Sequence, residues 1–206
     1  MWEYTDKVKD HFFNPRNVGR VKDPDGIGEV GSMETGDALG LTLKVNGDGV
    51  ISKAKFQAFG CVGTIASSSV LTDMIKGKSL ESAARITNKD IVDCLGGLPE
   101  KKMFCSVMAR EALEAALENY RSGGTGKAAI KGKIVCKCFV VTDKLIERVI
   151  RENNLITVEE VTNYCKASGG CDSRSACRDK VEKIIEKIQG HKAKSATASV
   201  ARNHRG

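Results

Sequence analysis

The chain has 206 residues, 41% apolar, 29% charged and 5% aromatic, with a net charge of +7; this is the balance of an ordinary soluble globular protein, long enough for one large domain or two small ones. No stretch approaches the roughly 18 uninterrupted apolar residues of a membrane helix, and "MWEYTDKVKDHFFNPRN" lacks the charged, apolar and small-residue order of a secretory signal. The basic excess sits at one end: Lys192, Lys194, Arg202 and Arg205 in the acid-free last sixteen residues supply four of the seven charges and leave a body of only +3.

With few aromatics and no basic helix interleaved with stacking residues, nucleic acid is not the expected partner, and 191–206 reads as a solvated, disordered basic tail. A cytoplasmic protein is the simplest reading. In that reducing compartment, eight cysteines at tight spacing point to metal ligands or redox groups before disulfides.

In chain order, "ALGLTLKV" (38–45) alternates Leu39, Leu41, Leu43 and Val45 with Thr42 and Lys44, the pattern of a half-buried strand. "NGDG" (46–49) is a turn, and "VISKAKFQAF" (50–59) puts Val50, Ala54, Phe56 and Ala58 on one face, so the two segments form a hairpin. In "CVGTIASSSVLTDMIKG", Ile65, Leu71, Met74 and Ile75 recur at helical spacing before Gly77, which sets Cys61 at a strand-to-helix junction. "CSVMAREALEAALENY" (105–120) is rich in helix formers and begins with Cys105. Cys94, between these helices, is expected to pack in the core.

"RSGGTGKAAIKGK" (121–133) combines Gly, Ser and Lys without apolar periodicity and reads as a flexible connection. The expected organisation is a first domain over 1–122, a linker over 123–133, a second domain over 134–190 and the tail. In the second domain, "DKLIERVIREN" places Leu145, Val149 and Ile150 on one helical face, and Thr157 and Glu160 stand in capping-box spacing. Val181, Ile184, Ile185 and Ile188 then form an apolar stripe before Gly190. A helical core of about 55 residues is marginal without a staple such as a bound metal.

Cys136 and Cys138 form CxC, and after 32 residues Cys171 and Cys177 form Cx5C. Four thiolates select zinc, copper(I) or an iron-sulfur cluster. The second pair follows Gly169 and Gly170 and leads into a helix, whose amino-terminal dipoles favour thiolate charge. The competing reading is four unrelated buried cysteines that behave as small apolar residues.

The segment "IVCKCFVVTDKLIERVIRENNLITVEEVTNYCKASGGC" resembles the central domain of the NifU family, itself similar to bacterioferritin-associated ferredoxins. "MWEYTDKVKDHFFNPRNVG", "GDALGLTLKV", "FGC", "IASSS" and "LGGLPEKKMFCSVMAREAL" resemble that family's amino-terminal, IscU-like scaffold domain. The resemblance implies an α+β fold, a small antiparallel sheet packed with helices, followed by a small helical iron-sulfur domain. It implies a stable 2Fe-2S cluster on Cys136, Cys138, Cys171 and Cys177, and a transient cluster, iron or zinc on Asp37, Cys61 and Cys105. It further implies Cys105 as acceptor of sulfur from a cysteine desulfurase, assisted by Lys102, with apo iron-sulfur proteins as recipients and a homodimer as the working form.

Three positions depart from the family pattern. Thr35 stands where the family has a cysteine, Phe104 where it has a histidine, and "CDSRSAC" replaces a CxxC spacing, which makes Cys165 a reserve ligand. The first-domain site is then an open metal site, a cluster site shared between two subunits, or a site that has lost assembly. The implied function is a scaffold or carrier of iron-sulfur clusters, not an enzyme, serving apo-proteins such as nitrogenase components. An electron carrier or redox sensor, and a zinc-stabilised interaction module, are the alternatives from other classes.

Overall fold

The computed structural model describes residues 3–32, 36–124, 132–170 and 177–190. Thr35, Cys171, linker residues 125–131 and the 191–206 tail lie outside them. The chain divides into two compact units, Met1–Ala129 and Ile130–Gly206.

The first unit is α+β. Helix α1 (Asp6–Phe13) is capped by Thr5, whose hydroxyl accepts from the Val8 amide. Strands β1 (Gly26–Ser32), β2 (Asp37–Val45) and β3 (Ile51–Phe59) form an antiparallel sheet in the order β1-β2-β3. The hairpin between β2 and β3 closes on Asn46, whose side-chain oxygen accepts from the amides of Asp48 at 3.1 Å and Val50 at 2.9 Å.

Leu39, Leu41 and Leu43 of β2 are buried as the alternation requires. The β2–β3 register shifts between Lys44 and Val45 of β2, whose partners on β3 are Lys53 and Ile51, and this irregularity changes the parity of β3. Ile51 therefore takes the buried place expected for Val50, with Ala54 and Phe56 beside it.

Helices α2 (Val62–Ile75), α3 (Leu80–Ala84), α4 (Asn88–Cys94) and α5 (Phe104–Arg121) complete the unit. The expected one-sided stripe on α2 is not what forms. Ile65 and Met74 are only half-buried, while Gly63, Thr64, Ala66 and Ser67 to Ser69 are buried with Val70, Leu71 and Ile75. Small side chains let α1, β3 and α5 close on this helix from several sides, so size rather than hydrophobic periodicity marks it as central.

Cys94 is exposed, contrary to expectation. The buried stripe of α4 runs through Asn88, Ile91 and Val92, and Cys94 falls off it at the helix end.

Strand β1 carries no sequence signal because Gly26, Gly28 and Gly31 interrupt its apolar residues. Gly26 and Gly28 are what allow it to pack on α5. A Cβ at Gly28 would lie 2.0 Å from the Ala112 carbonyl oxygen, and one at Gly26 would lie 2.6 Å from that of Ala116. The Ile27 amide donates to the Asn119 side chain of α5 at 2.9 Å.

The second unit opens with a short hairpin of β4 (Ile134–Cys136) and β5 (Val141–Thr142). Helices α6 (Asp143–Asn153), α7 (Val158–Cys165) and α8 (177–190) follow. On α6, Ile146 joins Val149 and Ile150 in the core and Leu145 is half-buried, a one-residue rotation of the expected face. The capping box of α7 forms as its spacing requires, with Glu160 accepting from the Thr157 amide at 2.9 Å and Thr157 accepting in return at 3.2 Å. On α8, Val181, Ile185 and Ile188 are buried. At the end of the stretch expected to be linker, the Lys133 amide donates to the Asp143 carboxylate at 2.8 Å and the Asp143 amide to the Lys133 carbonyl at 2.9 Å, tying this residue to α6. Among the described residues, no helix is long and apolar enough to cross a membrane.

Candidate functional site

Three elements meet at the sulfur site of the first unit. β2 starts with Asp37, α2 is preceded by Cys61 in an extended conformation at its N-cap, and Cys105 is the second residue of α5. The two sulfurs stand 3.6 Å apart, Cys61 half-buried and Cys105 with no exposed surface.

Thr64, fully buried in the first turn of α2, links all three groups. Its hydroxyl lies 2.8 Å from Asp37 Oδ1, 3.6 Å from Cys61 Sγ and 3.5 Å from Cys105 Sγ. The Cys61 amide also donates to Asp37 Oδ1, at 3.4 Å.

Two glycines make room for this arrangement. A Cβ at Gly60 would fall 2.3 Å from Asp37 Oδ1, and one at Gly63 would fall 3.0 Å from Cys105 Sγ and 3.8 Å from Cys61 Sγ. In "GCVGT" (60–64), the glycines flanking Cys61 were the legible sign of a crowded site; nothing in the sequence singled out Thr64.

The two thiols are electrostatically unequal. The hydrogen bond from Cys105 holds Cys61 well below the ordinary thiol value, at about 5, with help from the Thr64 amide and hydroxyl and the Lys102 charge, against the opposing effect of burial. Donating that hydrogen bond and being buried push Cys105 up. Of the two cysteines at these helix starts, only Cys61 is favoured as thiolate. Burial and the sulfur charges of Cys61 and Cys105 also push Tyr4 up, which marks the tyrosine as a neighbour of the pair.

Lys102 is half-buried, with its ammonium 5.9 Å from the centre of the Phe104 ring. Phe104 leads directly into Cys105 and offers no ligand atom. In this arrangement, among the described residues, no three His, Cys, Asp or Glu side chains are grouped to hold one metal ion. The structure thus brings Cys61 and Cys105 together and sets Asp37 one hydroxyl away from them.

In the second unit, Cys136 is buried in β4 and Cys138 is exposed in the turn that follows. Val140, after this pair, has φ +52, a left-handed conformation that costs a β-branched residue on the order of 1–3 kcal/mol. Phe139 meets the chain just before Cys171: a Cβ on Gly170 would lie 3.3 Å from its ring, and the Lys166 ammonium lies 5.5 Å from the ring centre. Cys177 opens α8 and points its sulfur at the Val135 carbonyl, 3.6 Å away and one residue from Cys136. Gly170 and Cys177 thus both stand beside the cysteine hairpin, and thiol donors such as Cys136, Cys138 and Cys177 are of the soft kind that suits an iron-sulfur cluster. Cys165 is spent differently: its thiol donates to the Val161 carbonyl of its own helix at 3.1 Å.

A sulfur-presenting α+β unit followed by a small thiol-bearing helical unit is the class of protein these two bodies define. The chain belongs to the NifU family: residues 3–126 match the NifU-like N terminal domain, and residues 134–187 match the BFD-like [2Fe-2S] binding domain. It is 49% identical over 191 residues to the nitrogen fixation protein NifU of Azospirillum brasilense, covering 91% of this chain and 61% of that one. It is 46% identical over 200 residues to NifU of Azotobacter chroococcum mcd 1, covering 97% and 64%. It is 50% identical over 117 residues to the iron-sulfur cluster assembly scaffold protein IscU 1 of Archaeoglobus fulgidus, covering 57% of this chain and 76% of that one. The chain therefore spans a little under two thirds of these NifU relatives.

Proposed function

We propose that this chain builds or holds iron-sulfur clusters and passes them to apo-proteins, with nitrogenase components among the recipients. The observation that carries the reading is the Cys61 and Cys105 pair, 3.6 Å apart at one helix start each, with Asp37 tethered beside it. Two thiols and a carboxylate are few enough ligands to release what they bind. The relatives named for nitrogen fixation and for scaffold assembly support the same function.

On this reading Asp37, Cys61 and Cys105 hold the cargo, iron or a growing cluster. A cysteine desulfurase delivers the sulfur, so the chain supplies ligands and geometry and is not itself an enzyme. The acceptor role expected for Cys105 passes on this reading to Cys61, which is half-exposed and favoured as thiolate and so meets the incoming persulfide first; Cys105 lies behind it, and Lys102 offsets the anionic charge. In the second unit Cys136, Cys138, Cys171 and Cys177 hold a resident 2Fe-2S cluster, which supplies one-electron chemistry when bound. The protein works in the cytoplasm as a homodimer.

Phe104, which offers no ligand atom beside Cys105, favours a second reading, an electron carrier or redox sensor whose first site no longer assembles clusters. One experiment separates them. The anaerobic protein is loaded with iron, sulfide and a desulfurase and then mixed with an apo-ferredoxin. A scaffold transfers its cluster, and transfer fails in Cys61→Ala and Cys105→Ala. A carrier cycles between oxidised and reduced forms and donates nothing, which would refute the scaffold reading.

A further inference from the structure

We propose that Cys61 and Cys105 are an oxidation site: in response to hydrogen peroxide the pair closes reversibly to an intramolecular disulfide, with Cys61 attacking the oxidant and Cys105 resolving the product. The disulfide stands on the thiol pair itself; that it switches the site off rests on the reading of these two cysteines as the sulfur-accepting and cargo-holding pair.

Position divides the two roles. Cys61 is half-exposed in an extended stretch ahead of α2, where a small oxidant reaches its sulfur, while Cys105 has no exposed surface and meets only groups already inside the site. A cysteine open to solvent beside a second one that can displace its oxidised form is the arrangement of a reversible redox sensor. The two sulfurs are 3.6 Å apart, against a disulfide bond of about 2.05 Å, so closing takes a shift of roughly 1.5 Å. Room for that shift comes from Gly63: a Cβ there would lie 3.0 Å from Cys105 Sγ and 3.8 Å from Cys61 Sγ, and glycine has none. Among the described residues no three His, Cys, Asp or Glu side chains group around one metal position, whereas these two thiols face each other at contact distance.

The steps balance. The Cys61 sulfur attacks one peroxide oxygen; an S–O bond forms, the O–O bond breaks, and hydroxide leaves as water with the Cys61 proton, giving a sulfenic acid. The Cys105 sulfur then attacks Cys61 Sγ; an S–S bond forms, the S–O bond breaks, and hydroxide leaves as water with the Cys105 proton. Two thiols lose two electrons and two protons, and one peroxide becomes two waters. A dithiol such as dithiothreitol returns both by exchange and reopens the pair.

For the test, the full chain is reduced, desalted without oxygen, treated with hydrogen peroxide, blocked with iodoacetamide and digested with trypsin without reduction. Cys61, Cys94 and Cys105 fall in the separate peptides 56–76, 90–101 and 103–110. Mass spectrometry should find 56–76 joined to 103–110 with the loss of two hydrogens, 90–101 unlinked, and dithiothreitol should separate the joined pair. Cys105→Ser should lose the link and leave Cys61 as a sulfenic acid that dimedone labels; the parent map needs no variant and decides the matter if that one misfolds. Radiolabelled sulfur from a cysteine desulfurase should pass to the reduced chain, fail to pass to the oxidised chain, and pass again once dithiothreitol has been applied and removed. A Cys61 sulfenic acid that persists in the parent, a Cys61 untouched by peroxide that oxidises Cys94, or links from Cys61 to Cys94 or to a second copy overturns the disulfide. An oxidised chain that takes sulfur as the reduced one does overturns the switch. If the reduced chain takes no sulfur, the acceptor reading falls and the switch with it, while the disulfide is judged by the peptide map alone.

Discussion

Cys61 Sγ lies 3.6 Å from Cys105 Sγ, and the two sulfurs differ in access as well as charge: the first is half-exposed at a helix N-cap and the second is sealed beneath it. One proton shared across this pair suffices to make Cys61 the thiolate and Cys105 the donor. The pair is therefore divided between an exposed nucleophile and a buried partner before any metal arrives.

This division has a pH signature. Alkylation of Cys61 by iodoacetamide, followed by mass spectrometry of the metal-free reduced chain, should stay fast from neutral pH down toward pH 5 and fall as pH drops through about 5, where the thiolate takes up a proton. Cys105→Ala removes the largest cause of that lowered value, so the midpoint should rise toward the ordinary thiol range of about 8.5. A midpoint unmoved by Cys105→Ala would show that the hydrogen bond does not set the Cys61 value.

Gly60 gives a probe of the cradle without touching a ligand. Gly60→Ala drives a methyl to 2.3 Å from Asp37 Oδ1, so the carboxylate must move. We expect Cys61-dependent zinc binding to weaken at least tenfold while circular dichroism is retained; equal affinity would show that the Asp37 position is immaterial to binding.

The second unit allows a direct choice between two cysteines. Cys177 points at the carbonyl next to Cys136, whereas Cys165 is turned into its own helix. Cys177→Ser should abolish the visible absorption and labile sulfide of the second-domain cluster, and Cys165→Ser should leave both in place. The reverse result would make Cys165 the ligand.

Close packing of β1 on α5 predicts a folding defect remote from either sulfur site. In Gly28→Ala the new methyl would lie 2.0 Å from a backbone carbonyl that cannot rotate away. Urea denaturation should show a loss of about 1–3 kcal/mol or more. A loss under 0.5 kcal/mol, the range of ordinary surface changes, would mean that β1 can withdraw from α5 cheaply.

Much of this molecule was readable from local pattern. The β2 and β3 hairpin follows from alternation around Asn46, and the α7 cap from Thr157 and Glu160 three residues apart. Those features depend on neighbours in the chain. β1 escaped notice because three glycines erase its alternation, and the α2 face was misjudged because its contacts are made by small polar residues. Cys94 looked like a core residue by type alone, yet one helical rotation decides its exposure.

By itself the sequence determined the two-part organisation, the short-range turns and caps, the cysteine spacings and, through the resemblance of whole segments, the family. Which cysteine carries the charge, where Asp37 points and why Thr64 belongs to the site were decided only by tertiary structure. Their contacts join residues 27, 41 and 44 positions apart, brought together by three separate elements. Periodicity reports which face of one segment is apolar; hydrogen-bond direction and desolvation depend on what the other segments place against it.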